Sequence, residues 1–257
     1  MAVMDEFRKE REEALRNSTL KEKISYYWYY YKWHAFIIGF AFVSVVSIIY
    51  NAITAKDIVL YAIFPNSTTL AEDNGAAYVQ TFADHIQLDT DKYEIYIDRS
   101  LYLSDLSSYN EDTYAAVQKI ATYVAAGEID LMISDPDIFN YYMYLDYLAD
   151  LRNILTEEQL ARYADRLYYM DYTIYEEKQA AVDANGVYTI VYPDPTKPEE
   201  MANPIPVGIV MDDADPAFFE TYKFVGKASP VISVIANTEQ FENVQSYIDY
   251  IMLGLPE

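Results

Sequence analysis

The feature that most constrains this chain is an uncharged apolar run between two lysines. Residues 33–55 read WHAFIIGFAFVSVVSIIYNAITA, with Lys32 before them and Lys56 after them, and the run contains no aspartate, glutamate, lysine or arginine. As an α-helix, these residues would be roughly 34 Å long, which is enough to cross the hydrocarbon of a bilayer. A buried helix of a soluble protein normally keeps one polar face, and this run has little polar surface. The sequence therefore predicts a transmembrane helix over 33–55.

Charged and aromatic residues flank this run unequally. Seven basic residues precede it, and only Lys56 follows it within the same distance. Because basic residues accumulate on the cytoplasmic side of membrane helices, the N-terminus is expected in the cytoplasm. Amphipathic rings and cations prefer the headgroup layer of the lipid bilayer, so the predicted interface residues are Trp28, Tyr31, Lys32, Trp33 and Lys56. The sequence thus predicts a single-pass cell-membrane protein with a cytoplasmic tail over 1–32, a signal anchor over 33–55 and an extracytoplasmic domain over 56–257.

A cleaved signal peptide is the competing interpretation of the apolar run. Such a peptide has a short apolar core near its start, whereas about thirty mostly polar and aromatic residues precede this one. The small residues of 51–55 leave cleavage open as an alternative. The chain has no cysteine, which excludes a lipid-modified cysteine anchor and disulfide bonds. The charged helix predicted over 1–17 is either a topogenic tail or a contact for a membrane partner.

The composition of the outer part excludes one class of partner. Residues 51–257 hold 11 basic and 35 acidic side chains, a formal charge of −24. Such a surface repels nucleic acid, which we exclude as a partner, and it also keeps a domain soluble. The chain contains 28 tyrosines, which supply core area or hold a polar ligand by stacking and hydroxyl contacts.

Beyond Lys56 the pattern alternates between strands and helices. Strands are predicted over 57–64, 93–98, 128–134, 205–211 and 231–236, and helices over 69–85, 112–126, 151–166 and 239–253. Asp135, Thr156 and Asp215 suit the N-caps of helices, and Gly127 suits the position that follows a helix. This order predicts an α/β fold with a mostly parallel sheet flanked by helices.

An inserted hairpin is predicted in the middle of the domain. Residues 168–178 and 187–192 look like two strands flanking Asn185 and Gly186, a pair typical of hairpin turns. The prolines between 193 and 206 predict a surface loop after the hairpin. The α/β unit is thus expected to be interrupted and then resumed.

Binding residues are predicted from architecture more than from motifs. In open α/β sheets, the binding crevice lies beyond the carboxyl ends of the strands. Those ends hold the predicted ligand-binding residues, which are Asn66, Ser67, Arg99, Ser100, Asp135 and Asp212. Arg99 is one of few cations in an acidic domain, so it either clamps a ligand carboxylate or pairs with a neighbouring acid.

An acidic cluster, Asp212, Asp213 and Asp215, is the best candidate for a metal site. It contains the D-x-D pattern that holds a divalent ion in some nucleotide-sugar transferases. The competing interpretation, which we favour, is that Asp215 before Pro216 begins a helix. Two histidines, no cysteine, no G-x-S-x-G elbow and no glycine-rich phosphate loop leave no catalytic residue to assign. We expect neither a cofactor nor an enzymatic activity.

Two segments resemble a known family. GEIDLMISDPDIFNYYMYLDYLADLRNIL (127–155) is similar to the part of bacterial extracellular solute-binding proteins in which a G-x-x-D strand precedes a helix and a "gyl-x-DL" phrase. VISVIANTEQFENVQSYIDYIM (231–252) resembles a late segment of the same proteins, and the aromatic flank 26–34 resembles the start of small membrane-anchored proteins of Gram-positive gut bacteria. The resemblance implies a periplasmic-binding-like type II fold in reduced form, since complete members have two lobes and a longer chain. The predicted hairpin would then be the remnant of the second lobe.

Three functions are compatible with this sequence. The first is non-catalytic capture of a small polar ligand, or docking to an envelope or transporter partner, by the outer domain. The second is a structural or assembly module of the cell envelope without a small ligand, and the third is a metal-dependent enzyme. A pocket at the strand ends favours the first, an exposed apolar or aromatic patch favours the second, and convergence of the acidic cluster on one cation favours the third.

Overall fold

The computed structural model describes residues 18–103, 110–183 and 191–255, and also residues 6, 9, 10, 13 and 16. The chain divides into two compact units, Met1–Ala55 and Lys56–Glu257. The helix predicted over 1–17 is therefore described at isolated positions only, and the turn predicted at Asn185 and Gly186 lies outside the described residues.

The first unit contains one long helix, α1 (Leu20–Thr54). The carboxylate of Glu22 accepts hydrogen bonds from the backbone N–H of Thr19 at 2.7 Å and from its hydroxyl at 2.9 Å, which ties down the first turn. The segment Tyr31–Thr54 is long and apolar enough to cross a membrane, and its apolar side chains are exposed on all sides. The predicted interface residues Trp28, Tyr31, Lys32 and Trp33 lie in the part of α1 where this segment begins.

The second unit is built on a sheet of six strands in the described chain. These are β1 (Asp57–Ile63), β3 (Tyr93–Asp98), β4 (Leu131–Ser134), β5 (Leu167–Asp171), β6 (Pro204–Val210) and β8 (Val231–Val234), while β2 (Ser67–Thr69) and β7 (Tyr222–Phe224) form a separate antiparallel pair. The spatial order of the six is β3-β1-β4-β8-β6-β5. β1 pairs with β3 and β4 in parallel, and the three remaining pairs are antiparallel. Four of the six strands run in one direction, so the predicted α/β class with a mostly parallel sheet is confirmed.

Helices cover both faces of this sheet. They are α2 (Ala76–His85), α3 (Glu111–Ala126), α4 (Pro136–Met143), α5 (Glu157–Arg162), α6 (Tyr172–Asp183), α7 (Pro216–Thr221) and α8 (Phe241–Leu253). Alternate side chains of β1 enter two cores, because the side-chain period of a strand is two. Leu60 lies in one core with residues of α2, α7 and α8. Tyr61 and Ile63 lie in the other core with residues of α3 and α4. The members of both cores lie between Leu60 and Met252, so the second unit has a hydrophobic core of its own.

Several helices begin and end where the sequence predicts. Asp135 begins α4 by accepting two backbone N–H groups at 3.0 and 3.1 Å, and Asp215 begins α7 by accepting one at 3.1 Å. Thr156 forms the predicted capping box of α5. Gly127 ends α3 with φ of +68°, in the left-handed region that favours glycine.

Two predicted helices are shorter than expected. The helix predicted over 69–85 begins only at Ala76, because the chain first pairs as β2 with β7. It then turns at Asp73, whose carboxylate accepts the N–H of Gly75 in the turn and the N–H of Ala77 in the first turn of α2. The helix predicted over 151–166 is broken into a 3-10 turn (Leu151–Asn153), α5 and a second 3-10 turn (Ala164–Arg166). Thr156 has extended backbone angles as the N-cap of α5, so the chain leaves helical geometry before that residue.

The first strand of the predicted hairpin, 168–178, is correct over residues 168–171 and wrong after them. β5 ends at Asp171, and the residues that follow form α6. The buried carboxylate of Asp171 accepts three backbone N–H groups at 2.9 to 3.1 Å, which turns the chain at this point. The run EEKQAA (176–181) then consists of strong helix formers, which outweigh the preceding tyrosines. Of the second predicted strand, residues 191 and 192 are described and are not in a strand.

Candidate ligand-binding crevice

The order of the first strands creates a crevice at one end of the sheet. The chain passes from β1 to β3 on one side, and then returns to place β4 on the other side of β1. α2 packs on one face of the sheet and α3 on the opposite face. Because successive connections leave in opposite directions, a gap opens beyond the carboxyl ends of β1 and β4.

A cavity of about 910 Å³ lies at this end of the sheet. Its walls come from Asn66 after β1, Leu103 after the end of β3, the first turn of α4 after β4, and the loop 225–228 before β8. The predicted residues Asn66 and Asp135 therefore lie in one cavity, although they are far apart in sequence. The volume is in the range of sites for small molecules.

Asn66 builds the wall of this crevice. Its amide donates to the carbonyl of Leu103 at 2.8 Å and accepts from the N–H of the same residue at 2.7 Å. Its carbonyl also accepts the N–H of Val225 at 3.1 Å, from the loop on the far side. Asn66 has φ of +54°, which asparagine tolerates better than most residues. Asn66 thus holds three segments together, with its side-chain amide bound to Leu103 and its backbone carbonyl bound to Val225.

The first turn of α4 forms a second wall. Asp135 caps this turn, and Pro136 at its first helical position needs no hydrogen-bond partner for its nitrogen. Phe139, one turn later, is fully buried against the sheet and fixes the helix in place. The positive end of the α4 dipole therefore faces the crevice, partly compensated by the Asp135 carboxylate.

The crevice surface presents polar groups and aromatic rings together. Asp137, Asn140 and Lys227 are exposed side chains that line it, and Tyr141 and Tyr192 add aromatic rings. The ring of Tyr192 lies 4.5 Å from that of the buried Tyr144, measured between centroids. Donors, acceptors and ring faces in one cavity suit a polar organic molecule that carries hydroxyl or amine groups.

Two predicted site residues, Ser67 and Ser100, do not line the crevice and have structural roles. The hydroxyl of Ser67 is buried and donates to the carbonyl of Phe64 at 2.7 Å. Ser100 donates its N–H and hydroxyl to the carboxylate of Asp98, at 2.8 and 2.6 Å. Asp98 is buried and pairs with Lys119 at 2.7 Å. Burial acts to raise the pKa of Asp98, but the hydrogen bonds from Lys119 and Ser100 outweigh it and hold this pKa below its usual value.

Arg99 lies in a different depression from the crevice. This depression has a volume of about 360 Å³, lies between α2 and β3, and is also lined by Lys56. The guanidinium of Arg99 reaches the carbonyl of Asn74 at 3.5 Å, and within the described residues it forms no salt bridge. Neither the expected ion pair nor a place in the crevice is therefore seen for Arg99.

The acidic cluster does not converge on one point. Arg166 lies against both Asp212, at 3.6 Å, and Asp213, with which it forms a close ion pair. Asp215 caps α7 instead. In the described part of the chain, no group of three or more histidine, aspartate or glutamate side chains is arranged to hold a metal ion. These carboxylates thus bind an arginine and a helix terminus.

Sequence reasoning missed most of the side chains that line the crevice. Asp137, Asn140 and Tyr141 follow the predicted cap Asp135 within two turns, so an extension of the same argument along α4 would have found them. Lys227 reaches the crevice through the β7–β8 loop, for which no local signal exists. A comparison of the chain with family models, curated proteins and solved structures gave no match.

Proposed function

We propose that this chain is a single-pass membrane protein whose α/β domain lies outside the cytoplasm and captures a small polar ligand in the crevice. The observation that carries the proposal is the cavity of about 910 Å³ at the carboxyl ends of β1 and β4, lined by the first turn of α4. Cavities at this position of open α/β sheets are where such folds bind ligands. The proposed function is non-catalytic, because the described lining of the crevice presents hydrogen-bonding groups and aromatic rings suited to binding.

The topology in the membrane supports this proposal. The segment Tyr31–Thr54 is long and apolar enough to span a bilayer, and seven basic residues precede it. The positive-inside rule then directs the acidic α/β domain away from the cytoplasm. There the domain meets solutes or envelope partners before they reach the membrane.

The solute-binding-like assignment is part of the proposal and has a structural argument in its favour. The two segments that carry the resemblance fold into neighbouring elements, because 127–155 contains β4 and α4 and 231–252 contains β8 and α8. β4 and β8 pair along four residues each. The first segment also supplies the α4 wall of the crevice. We infer a reduced, one-lobed relative of the periplasmic-binding-like type II fold, with α6 in the place where a second lobe was expected.

Thermal unfolding of the Lys56–Glu257 domain with candidate ligands tests capture. The domain has its own core, so it is expected to fold without α1. The panel contains sugars, amino acids, short peptides and polyamines. A ligand at a hundred times its dissociation constant stabilises a protein by about 2.7 kcal/mol. For a domain of this size, that corresponds to a rise in Tm of roughly 5 to 10 °C.

Matched variants locate the binding. Asp137→Asn and Lys227→Gln change charges inside the crevice and should reduce the rise in Tm by at least about half. Asp112→Asn alters the equivalent first turn of α3, and Lys223→Gln alters an exposed lysine on β7, and both should leave the rise unchanged. A rise that the crevice variants do not reduce would place the ligand elsewhere. No rise with any compound would refute capture of these classes and favour a module that docks to an envelope or transporter protein.

A further inference from the structure

The polar side chains in the second half of the membrane segment lie on one side of α1. Between Gly39 and Thr54, the hydroxyl and amide side chains other than Tyr50 are those of Ser44, Ser47, Asn51 and Thr54. With 3.6 residues per turn, these four occupy an arc of about 80° around the helix axis. Their separations of three, four and three residues are those of alternating a and d positions in a heptad pattern. The opposite side, which includes Ile38, Val45 and Ile49, is apolar.

Within the part of the chain that the structure describes, three of these four side chains lack a hydrogen-bond partner. The hydroxyl of Thr54 donates to the carbonyl of Tyr50 at 2.8 Å within the helix. Ser44, Ser47 and Asn51 have no side-chain hydrogen bond within the described residues. Asn51 lies about 13 Å along the helix from the midpoint of Tyr31–Thr54, which is inside the half-thickness of roughly 15 Å of bilayer hydrocarbon. An amide at that depth is costly unless it forms a hydrogen bond, and the lipid chains offer none.

We propose that this side of α1 is the contact surface between two copies of the chain in the membrane. The proposal rests on the membrane anchoring proposed above and goes beyond ligand capture. Two copies inserted by the same signals are parallel, so a symmetric contact brings each residue opposite its own counterpart. A carboxamide carries both donor and acceptor, so the Asn51 amide of one copy is complementary to that of the other. An asparagine at an a position also specifies the register of a helix pair.

The absence of cysteine in the natural chain permits a direct test by cross-linking. Single variants Ser44→Cys and Ser47→Cys place a thiol on the polar side, and Val45→Cys and Ile49→Cys place one on the apolar side. The full chain is expressed in membranes, oxidised with copper phenanthroline and separated without reducing agent. We expect a disulfide-linked dimer from the first two variants, at several times the yield from the other two. Equal yields from both sides, or no dimer from any variant, would overturn the proposal.

A second measurement assigns the contact to Asn51. In the Ser47→Cys chain, Asn51→Leu should lower the dimer fraction at limiting expression by about threefold, the effect of losing one interhelical hydrogen bond in a membrane. Asn51→Gln keeps the amide and should lower it less. An Asn51→Leu chain that dimerises as well as its parent would refute the role of the amide. Carbonate extraction separates the two proposals, because release from the membrane would refute anchoring and dimer together, whereas a retained chain without cross-links refutes the dimer alone.

Discussion

Gly208 offers a sharp test of how the sheet positions the crevice. This residue lies in the middle of β6, where a glycine weakens a strand unless something approaches the backbone closely. A Cβ at this position would lie 2.7 Å from the ring of Phe139 and 2.7 Å from a methyl group of Val231. Both neighbours are fully buried, so neither can move aside freely. The Phe139 ring also contacts Tyr168, the residue paired with Gly208 on β5, at 5.7 Å between centroids.

The variant Gly208→Ala should therefore destabilise the α/β domain. Overpacking of a core costs about 1–3 kcal/mol. The lower backbone entropy of alanine in the unfolded chain offsets roughly 0.5–1 kcal/mol of that cost. We expect a net loss of about 0.5–2 kcal/mol in the free energy of unfolding. With about 2–4 °C per kcal/mol for a domain of this size, Tm should fall by roughly 1–8 °C.

A double-mutant cycle with Phe139→Leu tests the cause of this loss. Leucine removes ring atoms that meet the new methyl group, so Gly208→Ala should cost at least about 0.5 kcal/mol less in the Phe139→Leu background. Urea unfolding followed by far-UV circular dichroism supplies the four free energies. A stabilising Gly208→Ala, or equal costs in both backgrounds, would show that Phe139 does not occupy the space above Gly208.

Three further predictions concern buried contacts, each measured by urea unfolding of the Lys56–Glu257 domain. Lys119→Met should cost about 1–3 kcal/mol at pH 7, because it leaves the Asp98 carboxylate buried without its ion pair. The pKa of Asp98 is held below its usual value, so the stabilisation by its carboxylate is present above that usual pKa and is lost as pH falls through the lower folded-state pKa. The cost of Lys119→Met should therefore shrink near pH 3, and a cost that stays constant with pH would contradict this account. Gly127 has φ of +68°, so Gly127→Ala should lower the free energy of unfolding by about 1 kcal/mol, and Gly127→Asn should lower it less because asparagine tolerates this region better. Equal losses for the two variants would argue against a backbone origin. Asp171→Ala should lower the free energy of unfolding by at least about 2 kcal/mol, because three backbone N–H groups lose their acceptor. A loss under about 0.5 kcal/mol, the size expected for a surface substitution, would refute the role of Asp171 in starting α6.

The predictions that succeeded from sequence rest on short-range physics. The apolar run of α1 is continuous in the sequence, and the caps Asp135, Thr156 and Asp215 bind N–H groups within a turn of themselves, so both patterns are visible in the chain. Gly127 belongs to the same group, because a left-handed φ after a helix requires a residue that tolerates it. The order of strands and helices then suffices to predict the α/β class.

The failures have a physical origin in long-range contacts. The first residues after β5, YTIY (172–175), are aromatic or β-branched and suit a strand. Asp171 nevertheless turns the chain there, because its carboxylate accepts the backbone N–H groups of Ala202 and Asn203, some thirty positions away. Likewise, β2 forms because it pairs with β7, which lies more than 150 residues later in the sequence. Neither partner can be inferred from the local pattern.

The long apolar helix and the α/β class were determined by the sequence alone. Both follow from hydrophobic length and periodicity. Which side chains line the crevice was decided only by tertiary structure. In the folded domain, the Asn66 side chain binds the backbone of Leu103 and Arg99 lines a different depression. Lys227 lines the crevice together with the first turn of α4. Sequence places a residue on a strand or loop, but the register and crossing of elements decide what its side chain meets.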